Sequence, residues 1–299
     1  MHIRLLEYFV TLASERHFAR AAQACHVSQP TLSAGLAALE AQLGRRLVER
    51  DRRFIGLTPE GAAVLPWAQQ LVAAFQGLTV AAGAARGPLT GRLRLGAIPA
   101  AGPSLGFLAA LIWRTHPGVD LDIRSLTSRE IERDLAAFEL DAGITYIDHE
   151  PPAHVIAAPL YGERAMFVAA EGFPLVDRPS VSWAAAIAQP LCLLHQGMQN
   201  RRILDEQLAA RGLVAKPRAT ADSYVTLLAM ARAGAFATIM PDSYATLLPR
   251  WAVMRPFDEA AELSRIGLIT PDRSPLSPLA AAALAAARRV ALPGGFGPT

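Results

Sequence analysis

Residues 18–44 read FARAAQACHVSQPTLSAGLAALEAQLG, and this stretch decides the fold of the first part of the chain. Ser28 is a favourable helix N-cap, and Pro30 suits the first turn of a helix, where a missing N–H does no harm. Gly44 is well placed to end that helix. Apolar residues recur at helical spacing before and after the break at 26–28: Phe18, Ala21, Ala22 and Cys25, then Leu32, Leu36, Leu39 and Leu43. Two short helices joined by a tight turn predict a helix-turn-helix.

The flanking segments extend this pattern on both sides. An apolar stripe predicts a helix over 3–14, and residues 50–57 can form a short hairpin, the wing of a winged helix-turn-helix. Thr58-Pro59-Glu60 then combines an N-cap, a proline at the first helical position and an acid in the first turn, which predicts a long helix to about residue 86. Its apolar residues repeat at spacings of 4, 3, 4 and 3, as in a coiled-coil seam: Val64, Ala68, Leu71, Phe75 and Leu78. An ordinary amphipathic core helix is the alternative.

The pattern changes after the glycine- and proline-containing linker at 87–91. Residues 92–147 alternate strand, helix, strand, helix and strand, which predicts a parallel sheet in an α/β domain. A second α/β set follows from about residue 157 to 241, and a strand and an alanine-rich helix (278–290) close the chain. Two α/β halves in tandem predict a body of two lobes with a cleft between them.

Composition and charge limit the class of protein. Of 299 residues, 52% are hydrophobic and 18% are charged, which is ample for a core and excludes wholesale disorder. The longest apolar run, 278–287, is too short for a membrane span of roughly 20 residues, and no secretory signal is visible, so a cytoplasmic protein is expected. The formal net charge of +3 falls within the first 58 residues, which hold eight arginines and five acids. A small basic module on a neutral body indicates a nucleic-acid partner.

The motifs of residues 5–61 make the N-terminal part specific. It resembles the DNA-binding end of the LysR-type transcriptional regulators, and the length and bilobed remainder extend the resemblance over the whole chain. The matching elements are Phe18, Ala21-Ala22, Ser28-Gln29-Pro30, Ser33, Leu39-Glu40, Leu43-Gly44, Leu47, Arg50 and Leu57-Thr58-Pro59-Glu60-Gly61.

The resemblance implies a mixed fold of three parts. Residues 1–58 are expected to form an all-α winged helix-turn-helix domain, and 59–87 a linker and dimerisation helix with Val64, Leu71, Phe75 and Leu78 at the seam. Residues 88–299 resemble a periplasmic-binding-protein-like effector domain, with lobe I at about 88–161 plus 267–299 and lobe II at about 162–266. The implied partners are double-stranded promoter DNA, a second or further copies in a homodimer or homotetramer, a small-molecule effector and RNA polymerase.

The DNA contacts are expected at the start of the recognition helix and in the wing. A recognition helix inserts its N-terminal residues into the major groove, here Gln29, Pro30, Thr31 and Ser33. A glutamine amide can pair with adenine, and the threonine methyl group can touch a thymine methyl group. The wing arginines Arg50, Arg52 and Arg53 are expected at phosphates or the minor groove; a solvated surface charge is the alternative for each. The chain departs from the family at Ala34-Gly35, where relatives often have a basic residue.

The effector is expected at the carboxyl ends of the strands, between the lobes. Many relatives have a serine or threonine at the position of Ala100 that binds an effector carboxylate, so alanine weakens the expectation of a small carboxylate there. His195 could pair with such a carboxylate, or be a neutral loop histidine. The candidate effector-binding residues are Ala100, Ala101, Gly102, Thr127, Ser128, Thr145, Tyr146, His195, Gln196, Gln199 and Thr238.

Other functions find less support in the sequence. In the peroxide-sensing branch of the family the reactive cysteine falls near Gln199, and the only two cysteines here, Cys25 and Cys192, look like buried small hydrophobes. Gly102–Gly106 matches G-x-S-x-G, with Asp141 or Asp148 and His195 in hydrolase order, but a proline before Ser104 fits poorly in a nucleophile elbow. No metal or nucleotide motif is present, so neither a cofactor nor an enzyme is expected. A ligand-binding module without DNA activity is the third alternative.

Overall fold

The computed structural model describes residues 2–50, 53–85 and 87–298, apart from the side chain of Arg50. The chain divides into two units between Pro88 and Leu89. The first unit contains helices α1 (Ile3–Glu15), α2 (Phe18–Ala24) and α3 (Gln29–Leu43), an antiparallel hairpin of β1 (Val48–Arg50) and β2 (Phe54–Leu57), and helix α4 (Pro59–Ala84). Its core joins the apolar faces of all four helices to the first wing strand.

The two ends of α3 and the start of α4 follow from capping, as the sequence predicts. The Ser28 hydroxyl accepts the N–H of Thr31 at 3.3 Å, and Gly44 ends α3 at φ 66°, a conformation that favours glycine. The Thr58 hydroxyl accepts the N–H of Gly61 at 2.9 Å. A Cβ atom at Gly61 would lie 1.9 Å from the Leu47 carbonyl oxygen, so only glycine lets α4 begin this close to the chain that enters the wing.

The second unit forms two lobes. In chain order its elements are β3 (Thr90–Ala97), a 3-10 turn (Pro99–Ala101), α5 (Gly102–Thr115), β4 (Gly118–Ser125), α6 (Ser128–Ala136), β5 (Ala142–Tyr146), β6 (Val155–Glu163), β7 (Ala165–Ala170), α7 (Trp183–Ile187), β8 (Cys192–Leu194), α8 (Gln199–Ala209), β9 (Ala219–Ala221), α9 (Tyr224–Arg232), β10 (Thr238–Pro241), a 3-10 turn (Asp242–Leu247), β11 (Ala252–Arg255), β12 (Ser264–Pro271) and α10 (Pro278–Ala287).

The sheet of lobe I is mixed rather than wholly parallel. Its order is β4-β3-β5-β12-β6, and the first three strands pair in parallel, as predicted. The sequence analysis predicts no partner for β12, which runs antiparallel to β5 and β6. The reason is the path of the chain: β6 leads into lobe II, and β12 returns from it in the opposite direction.

Lobe II contains a sheet of order β10-β7-β11 and a parallel pair of β8 and β9. Its core includes Trp183, whose ring stacks on Phe257 at a centroid distance of 3.7 Å. Residues 158–170, which the sequence suggests as the start of the second set, belong to both lobes, because β6 ends at Glu163 and β7 begins at Ala165. In the part of the chain that the structure describes, every helix is too short or insufficiently apolar to cross a lipid bilayer.

Candidate DNA-binding surface and effector cleft

The start of α3 presents short polar groups to solvent. Gln29, Pro30 and Thr31 are exposed and Ser33 is half-buried. The Ser28 and Thr31 hydroxyl oxygens lie 2.8 Å apart in a hydrogen bond, so the cap already engages the Thr31 hydroxyl. Gln29 and Thr31, two of the candidate DNA-contact residues, are therefore both accessible at the start of this helix.

Glu40 holds the wing against α3, a role that the sequence reasoning missed. Its buried carboxylate accepts the backbone N–H groups of Leu47 at 3.0 Å and Val48 at 3.3 Å. The Thr58 hydroxyl donates to the Arg46 carbonyl at 2.7 Å and fixes the other end of the wing. The signal was present, since a glutamate stands beside Leu39 on a leucine-lined helix face, where an acid needs a buried partner.

The wing arginines are only partly visible. Arg53 is exposed at the start of β2, whereas Arg52 and the side chain of Arg50 lie outside the described residues. Arg45 and Arg46, which the sequence analysis did not select, are also exposed between α3 and the wing. The described residues from the end of α3 to the start of β2 thus include three exposed arginines.

Gly35 has a packing reason. A Cβ atom there would lie 2.5 Å from Cδ2 of Tyr8, whose ring is buried against α3. Ala34, at the position where relatives often have a basic residue, is exposed. Alanine in place of a basic residue at position 34 therefore changes the exposed surface of α3. Glycine at position 35 instead allows α3 to pack closely against Tyr8 of α1.

Helix α4 carries an exposed apolar stripe. Of the predicted seam, Leu71, Phe75 and Leu78 are exposed and Val64 is half-buried against the core of the first unit. Trp67 is 69% exposed and extends the same stripe at a spacing of four residues. The sequence reasoning missed it because it falls outside the 4-3-4-3 repeat.

A pocket lies between the two lobes at the carboxyl ends of β3 and β5. It provides about 10 Å³ for the centre of a water-sized molecule, which is room for about one water. The lobes are therefore closed on each other in this conformation. Five of its lining residues are candidates from the sequence; the full lining is Ile98, Pro99, Ala100, Thr127, Ser128, Tyr146, Leu194, Met198, Gln199 and Asn200.

Ser128 gives this pocket an unsatisfied polar group. The Thr127 hydroxyl is committed to a capping box, in which it accepts the N–H of Glu130 and donates to the Glu130 carboxylate at 2.8 Å. The Ser128 hydroxyl is buried and has no hydrogen-bond partner. An unpaired buried hydroxyl costs about 1–3 kcal/mol, so Ser128 favours a ligand that supplies a partner.

The first turn of α8 joins the lobes. The Gln199 amide donates to the His149 carbonyl at 2.6 Å, and the Thr145 hydroxyl donates to Gln199 at 3.4 Å. Asn200 donates to the Tyr146 hydroxyl at 2.6 Å. The contacts all join the start of α8 in lobe II to residues 145–149 of lobe I, and Arg202 adds an ion pair with Glu150 at 2.6 Å.

Other candidates from the sequence lie outside this lining. Ala101 is buried, and Gly102 approaches the Tyr244 hydroxyl, which donates to the Pro99 carbonyl at 2.6 Å. The His195 ring accepts the N–H of Gly197 at 3.0 Å. Gln196 is exposed and Thr238 is fully buried at the start of β10. Thr145 reaches the pocket only through Gln199.

Comparison with protein families matches the two units separately. The LysR substrate binding domain matches residues 86–292, and the bacterial regulatory helix-turn-helix domain of the lysR family matches residues 3–62. The chain belongs to the LysR family. It is a transcriptional regulator with a helix-turn-helix domain and an effector-binding domain.

Several relatives in this family are named for hydrogen peroxide. A probable hydrogen peroxide-inducible genes activator of Mycobacterium avium is 38% identical over 80% of this chain and 77% of its own. The DNA-binding transcriptional dual regulator OxyR of Escherichia coli K12 is 31% identical over 81% of this chain and 79% of its own. The structure of a full-length OxyR from Pseudomonas aeruginosa, a variant with one cysteine changed to aspartate, superposes with a TM-score of 0.77, 28% identity and coverage of 97% of this chain and 99% of the other.

The two cysteines of this LysR-family chain differ in environment. Cys192 is fully buried, and burial raises the pKa of its thiol to about 11, which disfavours the reactive thiolate. Cys25 follows α2 and is half-buried, so the expectation that both are buried is wrong for Cys25, which lies at the helix end rather than inside it. Gln199 stands in the first turn of α8 and lines the inter-lobe pocket.

The serine of the G-x-S-x-G match has a structural role. Ser104 is buried, and its hydroxyl donates to the Ala101 carbonyl at 2.8 Å. Pro103 stands in the first turn of α5, so the segment is a turn that leads from β3 into a helix. Among residues 2–50, 53–85 and 87–298, no group of three or more histidine, cysteine, aspartate or glutamate side chains is arranged to hold a metal ion.

Proposed function

We propose that this LysR-family regulator reads promoter DNA through Gln29, Thr31 and the wing arginines. The exposed Gln29 amide supports this, because it stands at the first position of α3 beside the Ser28 cap. Arg53, together with Arg45 and Arg46, supplies charge for phosphates. Pro30 and Ser33 belong to the same first turns of α3. Arg50 and Arg52 are close to Arg53 in the sequence and add to the positive charge of the wing segment. The protein acts in the cytoplasm, where the promoter DNA of a bacterial regulator lies.

The regulator acts as a dimer through α4, or as a tetramer built from such dimers. The exposed stripe of Trp67, Leu71, Phe75 and Leu78 supports this proposal, because exposed apolar stripes of this length mark interaction surfaces. A single winged helix binds DNA weakly, and two related by a twofold axis read half-sites about one helical turn, ~34 Å, apart.

The effector of this regulator binds between the lobes, at the pocket lined by Ser128 and Gln199. The observation that carries this proposal is the buried Ser128 hydroxyl without a partner. The backbone N–H groups at the start of α6 suit an anion, and the lining has no acid or base apart from the Tyr146 phenol. We therefore propose a small hydrogen-bonding molecule, with small carboxylates as the first class to test. A ligand larger than water must open the lobes to enter.

The hydrogen peroxide in the names of the relatives does not imply a reactive thiol in the pocket of this chain. Gln199 lines it, and the Cys192 thiol has a raised pKa. We infer that this chain answers to a ligand that it binds without forming a covalent bond. Such a ligand shifts the regulator only if it binds the open and closed states with different affinity, and the shift then changes the contacts with DNA and RNA polymerase.

A gel-shift titration with the full chain tests the proposed DNA binding. The probe is the intergenic DNA upstream of its own gene, at two salt concentrations and against random competitor DNA. Gln29→Ala should reduce the preference over random DNA, whereas Gln42→Ala, an exposed glutamine near the other end of α3, should not. Arg53→Ala should weaken binding to both DNAs and lower the salt slope by about 1. Equal preference in Gln29→Ala and wild type would contradict the proposed placement of the recognition helix.

Thermal unfolding with a panel of small carboxylates tests the proposed effector site. A carboxylate that binds the cleft should raise the midpoint for the effector domain in wild type, and by less in Ser128→Ala. Ser180→Ala, which alters a serine outside the pocket lining, is the control. An equal rise of the unfolding midpoint in wild type and in Ser128→Ala would show that Ser128 does not contribute to ligand binding.

A further inference from the structure

The hinge between the lobes contains a buried acid. Glu163 is the last residue of β6, directly before the crossover at Arg164 into lobe II. Its side chain is buried, and its two oxygens accept the Tyr146 hydroxyl at 2.6 Å and the Ser243 hydroxyl at 3.2 Å. Tyr146 belongs to lobe I, and Ser243 stands in the 3-10 turn that follows β10 of lobe II. One carboxyl group thus bridges the two lobes.

Tyr146 links this acid to the pocket. Its hydroxyl donates to Glu163 and accepts from the Asn200 amide, also at 2.6 Å, while its side chain lines the cleft. The path from Glu163 to the first turn of α8 therefore contains two short hydrogen bonds. Glu163 is therefore linked through Tyr146 to one of the hydrogen bonds that hold α8 against lobe I.

The surroundings of Glu163 disfavour a negative charge. The ionisable groups that face it come from every neighbouring element: Tyr146 on β5, Tyr161 on β6, Tyr224 on α9, and Asp242 and Tyr244 on the 3-10 turn. Burial raises the pKa of Asp242, and the backbone N–H and the charge of the adjacent Arg164 oppose that rise. The arginines of α8 and β12 pair with other acids: Arg201 with Asp205, Arg202 with Glu150 and Arg265 with Asp148. Burial raises the pKa of Glu163 to about 8 and the charge of Asp242 adds to the rise, while the hydrogen bonds from Tyr146, Ser243 and Tyr161 oppose it.

We propose that Glu163 is a positioning residue that closes the effector cleft while it is neutral and loosens the cleft when it ionises. This rests on the proposed effector cleft and adds its regulation. In the neutral acid, Oε1 still accepts the Tyr146 hydroxyl and the protonated Oε2 donates to the Ser243 hydroxyl, which reverses the hydrogen bond that the carboxylate accepts from Ser243. The ionised acid is a buried charge close to Asp242, and separation of the lobes lets water solvate it. Alkaline conditions therefore favour the open cleft.

Hydrogen exchange of the full chain, without DNA or effector, tests this between about pH 6 and pH 9. The readout is the exchange rate of peptides from 143–151 and 199–204, divided by the rate in Glu163→Gln at the same pH, which cancels the intrinsic pH dependence. If opening solvates Glu163, the ratio should rise by up to about tenfold per pH unit and flatten above the pKa of about 8. Glu171→Gln, an exposed acid of lobe II, should behave as wild type.

Infrared spectroscopy provides the second measurement. Wild type near pH 6.5 should show the carbonyl band of a buried protonated carboxylic acid, which disappears at pH 9 and is absent from Glu163→Gln. A flat exchange ratio, or a band that is missing at pH 6.5, would overturn the proposal. Neither measurement uses DNA or an effector, so this proposal can fail while the gel shift succeeds, and the reverse.

Discussion

The carboxylate of Glu40 accepts the backbone N–H of Leu47 at 3.0 Å, and this hydrogen bond joins the recognition helix to the chain that enters the wing. Both residues are buried. In the proposed binding mode, base recognition by α3 and phosphate contact by the wing need a fixed geometry, because one places the other on the duplex. The Glu40 hydrogen bonds to Leu47 and Val48 link these two regions.

Glu40→Ala should therefore destabilise the N-terminal unit. It leaves the N–H groups of Leu47 and Val48 buried without their acceptor, which costs about 1–3 kcal/mol for each unsatisfied group. Chemical denaturation of the full chain, followed through the transition of this unit, measures the change. Glu49→Ala, which removes an exposed acid in the wing strand, should change stability by less than about 0.5 kcal/mol. Similar losses in both variants would contradict the anchoring role.

Gly35→Ala should also destabilise the first unit. The new methyl group would lie 2.5 Å from Cδ2 of Tyr8, and overpacking of this kind costs about 1–3 kcal/mol. Tyr8→Leu removes the ring that the methyl group meets. In a double-mutant cycle, the Gly35→Ala substitution should therefore cost less in the Tyr8→Leu background than in wild type. Additive losses would show that another contact at position 35 is responsible.

Leu78→Glu should convert the proposed dimer to monomer without unfolding it. Leu78 is 65% exposed on α4, so a charge there costs little within one chain but disrupts an apolar interface. Sedimentation velocity across a concentration series measures the effect, and circular dichroism checks the fold. Gln76→Glu adds the same charge at another exposed position of α4 and should leave the assembly unchanged if the stripe forms the seam.

Two buried serines of lobe I should respond in opposite directions to alanine substitution. Ser128 has no hydrogen-bond partner, so Ser128→Ala removes an unsatisfied hydroxyl and should stabilise the effector domain by about 1 kcal/mol. Ser104 donates to Ala101, so Ser104→Ala loses a hydrogen bond and should destabilise it by a similar amount. Urea unfolding without ligand gives both values. A loss of stability in Ser128→Ala would indicate that its hydroxyl has a partner in solution.

Local signals in the sequence predict the elements of the first unit well, because its helix ends depend on side chains that act within a few residues. Ser28, Gly44 and Thr58 each cap a helix that the structure confirms. Long-range pairing is harder to predict. The antiparallel insertion of β12 depends on the return of the chain from lobe II, and nothing within residues 264–271 encodes its neighbours.

The candidate site shows the same division. Position relative to strand ends selects eleven candidates, and five of them line the pocket: Ala100, Thr127, Ser128, Tyr146 and Gln199. Asn200 escaped selection because its contact with Tyr146 depends on closure of the lobes. Glu163 escaped because its burial becomes visible only when both lobes surround the crossover. His195, chosen for its chemistry, bonds within its own loop.

The free energy of unfolding of the effector domain should decrease as the pH rises, because of Glu163. Its pKa is raised from 4.5 to about 8 on folding, so below pH 4.5 both states hold the proton and the group contributes no pH dependence. Between these values the unfolded chain has lost a proton that the folded domain keeps, and the free energy of unfolding drops by up to about 1.4 kcal/mol per pH unit. Above pH 8 the loss is complete and the slope disappears.

Glu163→Gln removes this contribution, so the variant should gain stability over wild type as the pH rises from 5 to 8. Urea unfolding at each pH measures this difference. Glu171→Gln controls for the exposed acids, and parallel curves for wild type and Glu163→Gln would mean that Glu163 is ionised in the folded domain.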